Sequence, residues 1–390
     1  MDNDVVMRRL CAADYDEALD FLNLVFSMAK KPHDFQKALP RMWARDDEHM
    51  GRHLAMIRDG RIRALVGIYP IPAVIAGRKL MFSTVGNVAT HPYETGKGYM
   101  TALLNAAMSQ LDEMDADASR LGGLRQRYAR YGYEPIGLQY TFFLTAHNAR
   151  SKPLPAGLDD VVFRTIGPND IDLLNQAAAL QRECPMYVER GDASDFYNTL
   201  TAWENLPAAA LQGERMIGYL VANKSGETIS ECIAKDDETA LHMLFAWLAQ
   251  KGLPALSVSV APWQTELIRR LIPLCESWSA ASPCHFFIRR WDRVIGALLA
   301  LKRRLTPLCD GAFTLGIRGW GALRLEVRGG DTDVSKVNEE PAFWLEPATA
   351  AHVLAGTVPP YCVCEIPPDL APLLTDWLPL PLSWCTLDRV

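Results

Sequence analysis

Two glycines and a tyrosine are the residues whose types and spacing speak most directly of chemistry. The loop Thr95, Gly96, Lys97, Gly98, Tyr99 and Met100 follows a strand-like run from Thr84 to Thr90. It precedes a helix whose apolar positions Met100, Leu103, Leu104, Ala107, Met108 and Leu111 recur at i, i+3, i+4, i+7, i+8 and i+11, a stripe of helical period. Strand, glycine loop and helix aim several free backbone N–H groups at one point. The positive end of the helix dipole lies behind them, and the arrangement suits a pyrophosphate. Downstream, Tyr128 opens a tyrosine-rich run that includes Tyr131, Gly132 and Tyr133, and its phenol can give a proton to a leaving group. A structural turn before a packed helix is the plain alternative for the loop, and a core tyrosine with a backbone partner is the plain alternative for Tyr128. Finding both motifs in one segment favours the chemical reading.

The elements that must position these residues can be read outward from them. A first strand spans Val5 to Leu10, and a helix follows with Asp14 as N-cap, Glu17 completing a box, and Tyr15, Ala18, Leu19, Leu22 and Val25 on its buried face. His53 to Ile57 and Arg61 to Ile68 read as a hairpin around Asp59-Gly60. A strand near Lys79 to Phe82 leads into the run ending at Thr90, and Leu138 to Leu144 is expected to close the unit. His91 reads as a turn residue before Pro92, Arg125 and Arg127 as phosphate contacts or a solvated face, and Asp14, Asp16, Glu17 and Asp20 as a solvated helix start.

After a linker at 151–160 the chain starts again. Val161 to Asp170 matches Val5 to Asp14 in character, and both runs enter an amphipathic helix, so we read an internal duplication. The second copy has no glycine loop. Asp236, Asp237 and Glu238 occupy the phosphate position, where they would repel an anion. From about Trp291 a helix, alternating strands and a helix ending at Gly356 form a third unit.

Val88-Ala89-Thr90-His91-Pro92, Gly96-Lys97-Gly98 and Tyr128-x-x-x-Gly132-Tyr133 together resemble the GNAT superfamily of acetyl-CoA-dependent N-acetyltransferases. The resemblance implies an α/β (α+β) fold with a mixed central sheet and flanking helices. It implies acetyl-CoA as cofactor, with the backbone of Val88, Ala89 and Thr90 meeting the pantetheine arm. The pyrophosphate then falls to Thr95, Gly96, Lys97, Gly98, Tyr99 and Met100, and the role of general acid to Tyr128. Where the family carries Gln or Arg three residues before the first glycine, this chain has Tyr93, then Glu94, and only Lys97 supplies nearby positive charge.

The strands and final helix of the third unit resemble the sterol-carrier-protein fold. Three units in this order, 1–150, 151–290 and 291–390, resemble the enhanced-intracellular-survival (Eis) family. That likeness implies acetylation of small-molecule or lysine amines and a homo-oligomer. It also implies a terminal carboxylate that reaches the first unit and accepts the amine proton, a role that falls here on Val390. The tail from Leu380 is apolar and rich in proline and tryptophan, so it is expected to be docked. A non-catalytic coenzyme A or lipid-binding protein is the alternative from another class.

Composition sets the bounds. The chain has 390 residues, 49% hydrophobic and 22% charged, which fits a globular protein of two or three domains. A net charge of −6 argues against nucleic acid as a partner. Nine scattered cysteines without zinc-site spacing read as reduced thiols of a cytoplasmic protein, and we expect no metal. No apolar run is long enough to span a membrane.

Overall fold

The computed structural model describes residues 5–29, 31–151 and 160–390, so most of the expected linker lies outside the described residues. The chain forms three sheets flanked by helices, the mixed α/β architecture expected. Its strands run β1 (Val5–Arg9), β2 (His53–Arg58), β3 (Arg61–Ile75), β4 (Arg78–Thr90), β5 (Ala118–Leu121), β6 (Glu134–Ile136) and β7 (Gln139–Thr145). They continue as β8 (Val161–Thr165), β9 (Met186–Val188), β10 (Leu206–Gln212), β11 (Arg215–Ala222), β12 (Thr228–Ala234), β13 (Ala255–Val260), β14 (Ser277–Ala281) and β15 (Cys284–Ile288).

The first sheet has the order β1-β2-β3-β4-β5-β15-β6, with β9 paired to β3. The second reads β8-β10-β11-β12-β13-β7-β14. Both are antiparallel except for one central parallel pair, β4 with β5 and β12 with β13. The two orders match position by position, and the penultimate strand of each sheet comes from the other half of the chain. The strand expected at Leu138 to Leu144 therefore forms, but it does not close the first unit. It pairs with β13 and β14, and β15 takes the place expected for it.

The duplication read from the sequence repeats in atomic detail. In the first copy the Arg8 guanidinium donates to the Asp14 carboxylate, which accepts from the Cys11 backbone N–H. In the second, Arg164 donates to Asp170, which accepts from the Gly167 N–H. Arg8 holds the Asp14 carboxyl down at about 2. These bonds correct the expected cap. Asp14 closes a short 3-10 turn capped at Cys11, ahead of the helix Tyr15–Ala29, and Glu17 accepts instead from the Ile62 N–H of β3. The hairpin turn is as expected, with Asp59 and Gly60 both left-handed at φ 53 and 69. The two short strands expected up to Thr90 are one continuous strand, β4.

The third sheet, β16 (Gly311–Ile317), β17 (Gly321–Arg328), β18 (Asp331–Val337) and β19 (Phe343–Leu345), has the order β18-β17-β16-β19. Its interior is filled by Phe313, Leu325 and Trp377. The same apolar core runs on through Leu298 to Phe82 and Phe286 of the first sheet. All nine cysteines are free, and no group of His, Cys, Asp or Glu among the described residues is arranged to hold a metal. Among the described residues no helix is long and apolar enough to cross a membrane.

The tail is docked across all three units. The Trp384 ring lies 5.2 Å from that of Phe82 and 6.0 Å from that of Phe286. Asp388 accepts from Arg190 at 3.0 and 2.9 Å, while Arg190 also donates to Glu231 at 2.8 and 2.6 Å. Burial works against the charge of Arg190, yet the two carboxylates outweigh it and hold its pKa well above the usual value. Removing one partner of a buried cluster strands the others. Arg190→Leu is therefore expected to lower stability in urea denaturation by about 3–5 kcal/mol and to speed amide exchange in the tail. A loss below about 1 kcal/mol with an unchanged tail would show that the cluster does not hold it.

Candidate active site

Strand β4 carries the site because it parts from β5. The parallel pairing runs from Phe82 opposite Ala118 to Val85 opposite Leu121 and stops there. Beyond Val85, β4 continues to Thr90 with only its β3 edge paired. The other edge, along Val88, Ala89 and Thr90, has no strand partner among the described residues, so its backbone groups are free to pair with another extended chain. Leu65 pairs with Ala89 but Gly67 with Gly86, so Val66 faces both Asn87 and Val88 in a bulge.

The bulge is fixed by residues that the sequence did not single out. Asn87 is left-handed at φ 54, a conformation asparagine tolerates better than most side chains. Its side-chain N–H donates to the Tyr69 hydroxyl at 2.6 Å, and Tyr69 donates to Nε2 of His53 at 2.7 Å. Nδ1 of His53 then carries the proton toward the Met50 carbonyl at 3.3 Å, and Trp43 stacks on the imidazole at 4.5 Å. Burial lowers the His53 pKa to about 4, so the ring is neutral and serves as an acceptor in this chain. No local signal could have found the network, because its members lie far apart in sequence and only the β2-β3-β4 register assembles them.

The glycine loop lies at the end of this edge. Gly96 and Gly98 are left-handed at φ 84 and 81, and a Cβ on either would meet no protein atom within 4 Å. Their lack of a side chain therefore serves backbone shape and the approach of a ligand rather than internal packing. Gly98 is the N-cap of the helix Tyr99–Glu113 and offers no side-chain cap. The first-turn N–H groups of Tyr99 and Met100 have no intrahelical acceptor by construction, so they point out of the helix end beside Thr95 and Lys97. The helix buries Leu103, Leu104, Ala107 and Leu111 as the stripe predicts.

The Glu94 carboxylate beside the glycine loop is neutralised. Glu94 accepts from Lys97 at 2.8 Å and lies 3.5 Å from Arg58 of β2. Lys97 is thus not the sole positive charge near the loop, and Tyr93 in the family's Gln/Arg position is exposed. His91 is a turn residue whose Nδ1 accepts from the Tyr93 N–H. Arg125 is tied to buried Glu134, which also meets His352 of the third unit, so it is engaged in the fold. Asp16 is paired with Arg45.

Tyr128 ends the short helix Arg125–Tyr128 and is buried, 5% exposed. A Cβ at Gly123 would come within 2.7 Å of its ring, so that glycine makes room for it. Burial raises the Tyr128 pKa against the opposing charge of Arg127, which keeps its proton in place at neutral pH. Its hydroxyl has no hydrogen-bond partner among the described residues. Tyr133 by contrast is bonded to Ser119 at 2.7 Å in the core. Val390 reaches β4 from the other end of the chain. A Cβ at Gly86 would come within 2.7 Å of its side chain. Glycine at 86 thus lets the tail lie against β4, one residue before the bulge.

The second copy departs where the sequence said it would. Asp236 caps the helix Asp237–Gln250 through the Thr239 N–H, and Asp237 accepts from the Leu267 N–H. Carboxylates and their own hydrogen bonds thus fill the equivalent helix end.

The acetyltransferase (GNAT) domain family matches residues 6–136. No curated protein matches the chain. Among solved structures it is similar to a GCN5-related N-acetyltransferase from Kribbella flavida, with a TM-score of 0.69 at 18% identity over 99% of this chain and 98% of that one. It is similar also to a GCN5-related N-acetyltransferase from Anabaena variabilis, with a TM-score of 0.66 at 13% identity over 99% and 100%. Eis1 from Mycobacterium abscessus gives 0.67 at 15% identity over 97% and 98%. At such identities the likeness is one of fold, so the chain has the GCN5-related N-acetyltransferase fold over nearly its whole length, with a GNAT acetyltransferase domain matched at residues 6–136.

Proposed function

We propose that this protein is an acetyl-CoA-dependent N-acetyltransferase that moves the acetyl group to a primary amine by direct attack. The observation that carries the reading is the convergence of the unpaired β4 edge on an uncapped helix end with two left-handed glycines. A strand edge suits the amides of a pantetheine arm, and the helix end suits a pyrophosphate. Acetyl-CoA brings an activated thioester. Around it the Val88 N–H donates to the oxyanion that forms on attack. The Tyr128 hydroxyl gives its proton to the departing thiolate, and the α-carboxylate of Val390 accepts the proton of the amine. The unpartnered hydroxyl of Tyr128 and the contact of Val390 with Gly86 support those two roles. From the Eis resemblance we also carry forward a homo-oligomer, a cytoplasmic site of action and a sterol-carrier-like third unit.

Three variants test the reading. Gly98→Asp puts bulk and negative charge at the helix end, so calorimetry should show acetyl-CoA binding weakened more than about tenfold; unchanged affinity in a folded variant would remove the loop from the site. Tyr128→Phe keeps the ring and deletes the proton donor. Turnover is expected to fall by about 10²–10⁴ with acetyl-CoA affinity almost unmoved, and near-normal turnover would make Tyr128 a packing residue. Two residues added after Val390 shift its carboxyl group by about 7 Å along an extended chain. Acetylation should collapse while acetyl-CoA still binds; full activity would take Val390 out of the mechanism.

A further inference from the structure

Arg120 of β5 is a buried charge that the fold does not pair. It is 0% exposed, its Nε and Nη2 have no hydrogen-bond partner, and no carboxylate forms an ion pair with it among the described residues. The Cys284 thiol beside it supplies no counter-charge, because burial raises the thiol pKa against the pull of Arg120 and Arg389. Burying a charge in this way is costly. What Arg120 does hold, it holds through Nη1, which donates to Thr84 Oγ1 at 3.3 Å and to the Asp388 carbonyl at 3.0 Å. The same carbonyl accepts from the indole N–H of Trp384 at 3.3 Å, and the Arg120 guanidinium lies over that indole, 5.9 Å from its centroid.

The place of these bonds matters. Thr84 opposite Arg120 and Val85 opposite Leu121 are the last parallel pairs before β4 and β5 part. Residues paired across strands share a face of the sheet, and Gly86 lies two residues further along that face. The tail keeps step with β4. Its Asp388 carbonyl is held at Arg120 beside Thr84, and Val390, two residues on, lies against Gly86. Arg190 grips the Asp388 side chain, Arg120 grips its backbone, and the Arg389 side chain adds a bond to the Pro283 carbonyl. Two peptide units carry the chain from the Asp388 carbonyl to the α-carboxylate, so guanidinium and terminal charge lie within about 12 Å of each other. Opposite charges at that range attract when water is largely excluded.

Building on the acetyl-transfer reading, in which the Val390 carboxylate accepts the amine proton, we propose that Arg120 is the positioning residue for that carboxylate. By fixing the Asp388 backbone where β4 and β5 part, it sets Val390 beside the bulge. It acts through Val390 rather than on the substrate.

The test uses the full chain, with spermidine and Nα-acetyl-lysine amide as amines. Arg120→Met removes the charge and the bond to Asp388 while keeping an apolar stem. Carboxypeptidase A, which releases Val390 and stops at Arg389, reads the tail by mass spectrometry without any need for turnover. Release should be at least about tenfold faster in the variant, since cleavage tracks the loosened form. The kcat should fall by about tenfold to a hundredfold, the cost of a displacement near 1 Å, with KM for the amine and acetyl-CoA affinity almost unmoved. Arg120→Lys keeps a charged donor, should recover part of both effects, and guards against a folding defect. In a chain already extended by two residues after Val390, Arg120→Met should cost no further activity, because both changes act on one carboxylate. Unaltered release of Val390, an unaltered kcat, or a loss that adds in full to that of the extension would overturn the inference. Faster release of Val390 from Arg120→Met, with neither amine acetylated even by the unaltered protein, would sustain the positioning of the tail and count against acetyl transfer. Acetylation that survives both Arg120→Met and the extension would keep acetyl transfer and take Arg120 out of the mechanism together with Val390.

Discussion

Everything in the candidate site follows from the fact that β4 outlasts its parallel partner. After Val85 the strand keeps one hydrogen-bonded neighbour and loses the other. A buried strand edge without a partner is unfavourable unless something else takes up its polar groups. The fold meets that constraint by leaving the gap open towards the glycine loop and by bringing other segments up to its walls. The bulge at Asn87 and Val88 turns the backbone at the mouth of the gap, and the chain of hydrogen bonds from Asn87 through Tyr69 to His53 keeps it turned.

The tail answers the same constraint from outside the first unit. It crosses the third unit, packs Trp384 against the first sheet, ties Asp388 to the second, and ends at Gly86. A single stretch of chain thus couples all three units at the site. Arg190, Glu231 and Asp388 form the joint of that strap.

What the sequence disclosed was what local chemistry writes down. The glycines at 96 and 98, the apolar stripe of the helix after them and Tyr128 are local signals, and the structure brings all of them to one end of the first sheet. The repeat of Val5 to Asp14 was legible because strand and capping residues recur, though the atom-level role of Asp14 was not. Three things could not be read. Asn87 looks like any strand residue until its register against Val66 is known. Arg58 is distant in sequence from the Glu94 it helps to neutralise. Cys284 to Ile288 alternates in burial only once folded, and alternation in any case gives a strand its faces but not its neighbours.

The exchange of β7 and β15 bears on how the chain is made and kept. During synthesis the first sheet cannot close between β5 and β6 until Ile288 has left the ribosome, so its early-emerging half waits with open strand edges for a late segment. Pairings of such long sequence separation close slowly and leave edges exposed to self-association. The exchange also gives the second copy a reason to persist. Its carboxylate-filled helix end does not suit a phosphate, yet deleting the copy would remove the strand that joins β5 to β6 in the sheet of the candidate site. A duplicate that had become a neighbour only could be lost without consequence; one that has lent a strand to its twin cannot.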